Sequence, residues 1–374
     1  MNGRHIRGLI SRATRGVCGL KLGADGDGEA ERGRRRVVLG KRSQRTSVVV
    51  GDGHQIAQGH FWTNLAVEAV ENRPVGVLES AKNENLFAIG HIRLPKMLEH
   101  RVCGPIPRHV AFVMDGNRRF ARAHGSASVL EGHAQGFNQL TKILEWCDDL
   151  DISEISVYAF AIDNFKRDPD EVEGLMQLAE QKFVELLKEE HTLLEKGVRF
   201  RFFGDISLLP ENVRRLVAQI QLKTANCDKK FVNVCMPYSS TDEMKRAFQF
   251  VKRGVEKGFL YEDDITESLI NSCLDTGRSL PVDMLVRTSG EKRMSDFMLW
   301  QCSDCYIHFE NVLWPEFSYW HLCKAVVSYQ MRHAQIEKLK ASNRSEPEES
   351  SPRVEKFLKW VEEERRNQLQ TFAA

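Results

Sequence analysis

Between residues 105 and 340, short apolar runs alternate with longer segments that have helical periodicity. Continuous apolar runs of this length, bounded by turn residues, are typical of buried strands. The predicted strands are HVAFVM (109–114), EISVYAF (154–160), VRFRFFG (198–204), KFVNVCM (230–236) and VDMLVRT (282–288). Their alternation with helices predicts an α/β fold with a central, mostly parallel sheet flanked by helices, which binds ligands at the carboxyl ends of its strands.

The helical segments repeat apolar residues every three or four positions, so each is expected to bury one face. In the segment 136–150 the apolar stripe consists of Phe137, Leu140, Ile143, Leu144 and Cys147. The segment 168–197 opens with an acidic first turn and ends at Gly197, which predicts a single long helix. Further helices are predicted at 208–224, 242–255 and about 316–340.

The two ends of the chain lack this alternation. Residues 1–104 form an N-terminal extension that is predicted to be largely disordered, because its first part is rich in Arg, Gly and Ser without periodicity. An Arg-rich start is also typical of organelle-targeting peptides, although acids interrupt this one. Residues 341–374 are predicted to be a polar linker and an amphipathic helix, which packs on its own domain or binds a partner. The apolar positions of that helix are Val354, Phe357, Leu358 and Val361.

The charge and cysteine content of the chain argue against several classes of protein. The formal net charge is +1, and residues 1–50 alone hold twelve lysines and arginines against four acids. The remainder is slightly acidic, which argues against a nucleic-acid-binding protein. Nine cysteines without framework spacing indicate a reducing compartment. No apolar run reaches the roughly eighteen residues that cross a bilayer, so membrane association is expected to be peripheral or through a partner.

The first candidate site is DGNRR, which follows the strand 109–114 and opens a helix. Gly116 permits close approach of the backbone to a ligand, and the free N–H groups of a helix start attract an anion. Arg118 and Arg119 add positive charge, whereas the Asp115 carboxylate has the wrong sign for a phosphate. A carboxylate fits there if Mg²⁺ bridges it to the phosphate. The alternative is a capped turn with a solvated ion pair.

Two more polar loops follow predicted strands. FAIDNFKR (160–167) combines an acid, an amide, aromatic rings and two cations, although it also fits the start of a helix capped by Asp168. RTSGEKRMS (287–295) places two arginines six residues apart, which suits bidentate binding of a diphosphate. Because three basic loops leave one edge of a parallel sheet, we predict a site at which two diphosphates meet.

Other ligand motifs are missing or incomplete. The chain has no phosphate loop of the nucleoside triphosphate or dinucleotide type after a strand. Cys302 and Cys305, with His308 nearby, have metal-like spacing but no second pair, so zinc is the weaker interpretation. The acid-rich segment DDITE (263–267) lies at a predicted helix start, where acids favour the helix dipole.

Taken together, these loops resemble the motifs of the cis-prenyltransferase family, which includes undecaprenyl and dehydrodolichyl diphosphate synthases. The motifs occur in family order over about residues 105–340, and DGNRR and NFKR look most like the eukaryotic dolichol-forming catalytic subunit. The resembling segments are HVAFVMDGNRRFA, EGHAQGF, VYAFAIDNFKR, RTSGEKRMSDFMLWQ and VLWPEF. The resemblance implies the family fold, with a hydrophobic tunnel lined by the helices 136–150 and 168–197.

The resemblance also implies an activity. The enzyme is expected to condense isopentenyl diphosphate onto farnesyl diphosphate with Mg²⁺, and to make dehydrodolichyl diphosphate for dolichol synthesis and protein glycosylation. Asp115 would hold Mg²⁺ and the allylic diphosphate, Asn164 would assist proton removal or orient the reacting carbons, and His133 is the family's histidine in that pocket. The allylic diphosphate would lie on Gly116, Asn117, Arg118 and Arg119, near Arg167. Isopentenyl diphosphate would bind Arg287, Arg293 and Ser295. Phe160 is a further expected substrate contact.

Four residues depart from the family pattern. Ala161 replaces a serine of the proton-handling network, Val129 and Thr241 replace arginines, and Tyr306 replaces the glutamate that reaches the metal in bacterial homodimers. The change at Tyr306 also occurs in eukaryotic catalytic subunits, so the resemblance implies a Nogo-B-receptor-like accessory subunit that completes the site. It also implies that the enzyme works at the cytosolic face of the endoplasmic reticulum, attached to the membrane through that partner. A homodimer is the alternative. The other changes motivate a rival hypothesis, a catalytically impaired binding or scaffold subunit.

Overall fold

The computed structural model describes residues 49–50, 104–126, 128–343 and 351–374. Nearly all of the predicted N-terminal extension, and the linker at 344–350, lie outside the described residues. The described chain forms a seven-stranded sheet in the order β1-β7-β6-β2-β3-β5-β4, and every neighbouring pair is parallel. The strands are β1 (Val49–Val50), β2 (His109–Val113), β3 (Glu154–Tyr158), β4 (Val198–Phe203), β5 (Lys230–Cys235), β6 (Met284–Arg287) and β7 (Tyr306–Phe309).

Helices cover both faces of this sheet. All five residues of β2 are buried, and alternate residues of a strand face opposite sides. Val110 and Phe112 join one hydrophobic cluster, whereas Ala111 and Val113 join another. This two-sided burial explains why the strand is apolar throughout and does not alternate with polar residues. The helices are α1 (Asn117–Ala123), α2 (Val129–Asp149), α3 (Pro169–Lys188), α4 (Glu190–Lys196), α5 (Glu211–Lys223), α6 (Ser240–Glu256), α7 (Glu267–Cys273), α8 (Tyr319–Asn343) and α9 (Pro352–Ala373).

The predicted α/β fold is confirmed, but two helices differ from their predictions. The helix predicted at 168–197 is two helices, because Glu189 leaves helical geometry with φ −89° and ψ 15°. Residues 188–192 have no apolar side chain, so no packing holds that stretch in one straight helix. The helix predicted at 136–150 begins earlier, at Val129, where the Ser128 side chain accepts a hydrogen bond from Leu130 N.

Two glycines obscured the start of α2 in the sequence. A Cβ atom at Gly132 would lie 2.2 Å from the Asn117 carbonyl oxygen, and one at Gly136 would lie 2.2 Å from Asn117 Oδ1. Glycine is normally unfavourable inside a helix, but here it lets α1 pack directly against α2. The fold also contains β7, a four-residue strand that the sequence pattern did not predict.

The last helix packs on its own domain, which decides between the two alternatives for this segment. Phe357 is fully buried and Val361 is 2% exposed, in a cluster with residues of α6 and α7. The acid-rich segment at 263–267 contributes to this packing, because Asp264 Oδ1 accepts hydrogen bonds from Ser351 Oγ and Arg353 Nη2. None of the helices among the described residues is both long and apolar enough to cross a bilayer.

Replacing Phe357 with alanine should destabilise the fold. The Phe357 ring fills a fully buried position against Gly254 and Leu260, so its removal leaves a cavity and should lower the free energy of unfolding by about 3–5 kcal/mol. Urea denaturation of Phe357→Ala would measure this change. Lys359→Ala, at an exposed position of the same helix, is the matched control and should remain within about 0.5 kcal/mol of the wild type. Equal stabilities of the two variants would show that α9 does not pack as described.

Candidate active site

The three polar loops predicted from the sequence lie together at one edge of the sheet. β6, β2 and β3 are neighbours and run parallel, so the chain leaves all three strands on the same side. Asp115 follows β2, the loop 160–167 follows β3, and the loop 288–298 follows β6. The predicted convergence is therefore confirmed at the level of the backbone.

The Asp115 carboxylate joins the first loop to the third. Its Oδ2 atom lies 3.0 Å from Nη2 of Arg287, whose side chain is only 2% exposed. Arg287 Nη1 also donates to Ser295 Oγ at 2.8 Å. A second link is made by the Thr288 hydroxyl, which donates to the Asp115 carbonyl oxygen at 2.9 Å and accepts from the Asp115 N–H at 3.1 Å. These bonds fix a carboxylate beside a buried cation at the strand ends.

Gly116 is required by the backbone at this point. Its φ of +108° is unfavourable for residues with a side chain, and a Cβ atom would lie 2.9 Å from Leu313 Cδ2. Asn117 begins α1 and donates from Nδ2 to the Met114 carbonyl oxygen at 3.3 Å. The turn after β2 thus directs the two arginines that follow toward the edge of the sheet.

The structure separates those two arginines. Arg119 turns toward the third loop, where it hydrogen-bonds Ser289 and lies 3.6 Å from both Asp115 Oδ1 and Glu291 Oε1. Arg118 turns the other way, and its Nη1 lies 3.9 Å from Glu171 Oε2. Arg118 is therefore on the side of the second loop, whereas Arg119 bridges to the third.

Glu171 is a site residue that the sequence analysis missed. It lies in the first turn of α3, and its side chain is 15% exposed. Its carboxylate is 2.9 Å from Arg167 Nη1 and 3.9 Å from both Arg118 Nη1 and His133 Nε2. The signal in the sequence is the acidic first turn of this helix, which by itself predicts only a helix start. The predicted N-cap is confirmed, since Asp168 Oδ1 accepts from Asp170 N.

His133 is held neutral by its surroundings. The pKa of this histidine is lowered to about 4, mainly because the ring is buried and also because Arg167 and Arg118 are positively charged, while Glu171 opposes the shift. The Nε2 atom of His133 is buried and has no hydrogen-bond partner, and the same holds for Arg287 Nε. Burying a polar atom without a hydrogen-bond partner is unfavourable, and a hydrogen bond to a ligand or a water molecule would remove that cost.

One predicted catalytic residue, Asn164, and two predicted substrate contacts, Phe160 and Arg293, have local partners in the protein. Asn164 Oδ1 accepts from Ala161 N at 3.2 Å, within a single turn. Phe160 is 3% exposed, with its ring centroid 4.9 Å from that of Phe165. Arg293 is largely exposed and pairs with Glu291 at 3.1 Å. Their contacts with substrate stay predictions, as does the hydrophobic tunnel between α2 and α3.

The departures from the family pattern lie in different places. Ala161 leaves no hydroxyl in the second loop, and Val129 is the first residue of α2. Thr241, in the first turn of α6, hydrogen-bonds Asp296 of the third loop. Tyr306 begins β7, at the opposite end of the strand from the site, and is buried against Tyr329.

Two other features do not form competing sites. Cys302 and Cys305 are buried, and within the described parts of the chain no three His, Cys, Asp or Glu side chains are grouped as metal ligands. A cavity of about 220 Å³ lies between α5, α6 and α9, away from the three loops. Its arginines are already paired, for example Arg246 with Asp275 and Arg253 with Glu364.

Comparison with known proteins identifies the family. A sequence model described as a putative undecaprenyl diphosphate synthase matches residues 113–337, more than half of the chain. The chain belongs to the undecaprenyl diphosphate synthase family. It is thus a cis-prenyltransferase, and the matched region falls within the segment 105–340 that carries the three loops.

Its relatives include eukaryotic proteins named as dehydrodolichyl diphosphate synthase subunits. The human dehydrodolichyl diphosphate synthase complex subunit DHDDS is 48% identical over 235 residues, which cover 63% of this chain and 70% of the relative. A dehydrodolichyl diphosphate synthase complex subunit of Schizosaccharomyces pombe is 38% identical over 231 residues, 62% of this chain and 87% of the relative. The fold matches the crystal structure of lavandulyl diphosphate synthase from Lavandula x intermedia in complex with dimethylallyl diphosphate. That match has a TM-score of 0.58 and 30% identity, and it covers 61% of this chain and 96% of the other.

The pKa of His133 can be measured by an NMR pH titration. In the free cis-prenyltransferase we expect a histidine that titrates near pH 4, identified by loss of its signal in His133→Gln. Adding inorganic pyrophosphate should raise this pKa, because negative charge beside the ring favours imidazolium. Glu171→Gln should lower it further, since one opposing negative charge is lost.

Because the folded pKa lies below the ordinary value of 6.5, the stability that His133 contributes is present above pH 6.5 and lost as the pH falls toward 4. A pKa near 6.5 would contradict the described burial.

Proposed function

We propose that this cis-prenyltransferase adds isopentenyl diphosphate units to farnesyl diphosphate and makes dehydrodolichyl diphosphate for dolichol synthesis and protein glycosylation. The observation that carries the proposal is the position of Asp115 between two cationic groups. Arg118 and Arg167 lie on the side of the second loop, and the third loop supplies Arg287 and Arg293. One anionic group can therefore bind on each side of the Asp115 carboxylate. The names of the human and yeast relatives support dehydrodolichyl diphosphate as the product.

The residues at this position fit Mg²⁺. The Asp115 side chain is 30% exposed and stands among cations at a strand end. Mg²⁺ commonly binds one or two carboxylates together with substrate phosphates and water, so a dedicated cluster of protein ligands is unnecessary. When bound, the ion would neutralise negative charge that develops on the departing diphosphate.

The protein groups act mainly by binding and by electrostatic stabilisation. Ionisation of the allylic diphosphate breaks its carbon–oxygen bond, and Arg118 and Arg167 stabilise the negative charge that the leaving group gains. Arg287, Arg293 and Ser295 hold isopentenyl diphosphate so that its double bond can attack the allylic carbon. A carbon–carbon bond forms, and loss of a proton from the isopentenyl unit gives a new Z alkene. No covalent enzyme intermediate is needed.

The rival hypothesis of an impaired scaffold subunit has less support. Two expected arginines are replaced, by Val129 and Thr241, but the other charged residues of the pocket remain in contact. Asp115 lies beside Arg119 and Arg287, and Glu171 contacts Arg118 and Arg167. The missing hydroxyl at Ala161 removes one group of the expected proton network but none of the diphosphate contacts.

We further propose that the enzyme works with a Nogo-B-receptor-like accessory subunit at the cytosolic face of the endoplasmic reticulum, through peripheral association. The human and Schizosaccharomyces pombe relatives are named as subunits of a complex. α8 exposes Trp320 (63%) and Met331 (73%), which lie about three helical turns apart and so share one face. We place the accessory subunit on this face. Sedimentation of the chain alone and with that subunit would distinguish the heteromer from a homodimer.

Asp115→Asn should abolish most of the activity while preserving the fold. Asparagine still accepts a hydrogen bond from Arg287, so the buried guanidinium keeps a partner, but the negative charge that would bind Mg²⁺ is lost. We expect turnover to fall by at least about 100-fold, as for other losses of leaving-group stabilisation. The assay combines farnesyl diphosphate, labelled isopentenyl diphosphate and Mg²⁺, with and without the accessory subunit, and measures extractable polyprenyl product.

The matched control is Asp148→Asn, which removes a carboxylate that is 64% exposed at the end of α2 and should leave turnover unchanged. Absence of product from the wild type under both conditions would overturn the proposed activity. Full activity of Asp115→Asn would instead show that the metal binds elsewhere.

A further inference from the structure

The loop that follows β6 has an unusual backbone. Four of its residues other than glycine have positive φ angles: Ser289 (72°), Ser295 (52°), Asp296 (54°) and Met298 (45°). Residues with a side chain adopt this left-handed region only where surrounding contacts hold them there. The contacts that stabilise this loop therefore decide the position of the residues it presents to a ligand.

Asp296 is held at both its backbone and its side chain by the first turn of α6. The Ser240 N–H donates to the Asp296 carbonyl oxygen at 2.7 Å. The Thr241 N–H and the Thr241 hydroxyl both donate to Asp296 Oδ1, each at 3.1 Å. A carboxylate at the N-terminus of a helix is favoured both by free N–H groups and by the helix dipole.

This attachment lies one residue from a predicted contact for isopentenyl diphosphate. Ser295 precedes Asp296, and its carbonyl oxygen accepts from the Tyr158 hydroxyl at 3.2 Å. Its own hydroxyl accepts from Arg287 Nη1, and Arg287 in turn pairs with Asp115. Any shift of Asp296 would therefore move Ser295 and disturb the guanidinium that joins the two halves of the site.

We propose that Thr241 and Asp296 form a clamp that positions Ser295 for isopentenyl diphosphate. Thr241 is then a positioning residue, although it occupies a place where the sequence resemblance led us to expect an arginine. The clamp also keeps the Asp296 carboxylate bound to α6, so that this negative charge does not face the diphosphate held by the neighbouring serine. The inference rests on the proposed function, since it assigns the third loop to isopentenyl diphosphate.

Four variants test the clamp in the full chain, with the accessory subunit wherever activity requires it. Thr241→Val removes the hydroxyl but keeps the shape, Asp296→Asn weakens the acceptor, and the double variant combines them. Thr241→Ser restores the hydroxyl. Thr141→Val is the matched control, because the Thr141 hydroxyl bonds only within its own helix, to the Phe137 carbonyl oxygen.

Two measurements are made on each protein: calorimetric binding of isopentenyl diphosphate, and steady-state KM for each substrate with kcat. Thr241→Val should raise both the Kd and the KM for isopentenyl diphosphate about five- to tenfold, and change the KM for farnesyl diphosphate less than about twofold. The double variant should bind isopentenyl diphosphate no more weakly than the single variant with the lower affinity, because both substitutions break the same interaction. Thr241→Ser and Thr141→Val should match the wild type.

The outcomes separate the clamp from the proposed activity. An active wild type whose Thr241→Val variant binds isopentenyl diphosphate normally would overturn the clamp and leave the activity standing. An inactive wild type that still binds isopentenyl diphosphate, more weakly after Thr241→Val, would support the clamp and overturn the activity. Equal loss of affinity for both substrates, or a wild type that binds no isopentenyl diphosphate, would overturn the clamp.

Discussion

The ion pair between Asp115 and Arg287 is the interaction on which the rest of the site depends. A guanidinium that is 2% exposed needs a partner, and leaving it unpaired typically costs about 3–5 kcal/mol. Its partner comes from the strand beside it, because β2 and β6 are neighbours in the sheet. The same two side chains also join the start of α1, which carries Arg118 and Arg119, to the loop that carries Ser295. The order of the strands therefore determines the buried ion pair, and the ion pair in turn fixes the geometry of the site.

Around that pair, positive and negative groups are balanced before any ligand binds. Arg118 and Arg167 share Glu171, and Arg119 and Arg293 share Glu291. These contacts hold long, flexible side chains in place, so part of the entropy cost of ordering them is met in the folded protein. A diphosphate that binds here must compete with the two glutamates. The site thus combines strong attraction for anions with internal competitors, which suits an enzyme that has to release a diphosphate at every cycle.

Much of this arrangement could be predicted from the sequence, and the limits have physical causes. The strands are buried on both faces, so their apolar runs stand out, and parallel strands place their following loops at one edge. Spacing along the chain could not show that Arg118 and Arg119 diverge, because helix rotation and neighbouring loops decide where each one points. Glu171 was missed for a related reason: an acid in a first helical turn also fits a helix start. The glycines of α2 depend on packing between helices, which the local sequence pattern does not encode.

The sheet order has a consequence for how the protein becomes functional as it folds. Asp115 and Arg287 are 172 residues apart in the chain but adjacent in space. The pairs formed by β2, β3, β4 and β5 involve shorter separations, whereas β6 must return to the far side of β2. Contacts between distant residues carry a larger loop-closure cost and generally form later. A chain that has assembled only β2 to β5 would hold Asp115 and Glu171 without the buried arginine, so catalytic competence is acquired when β6 pairs with β2.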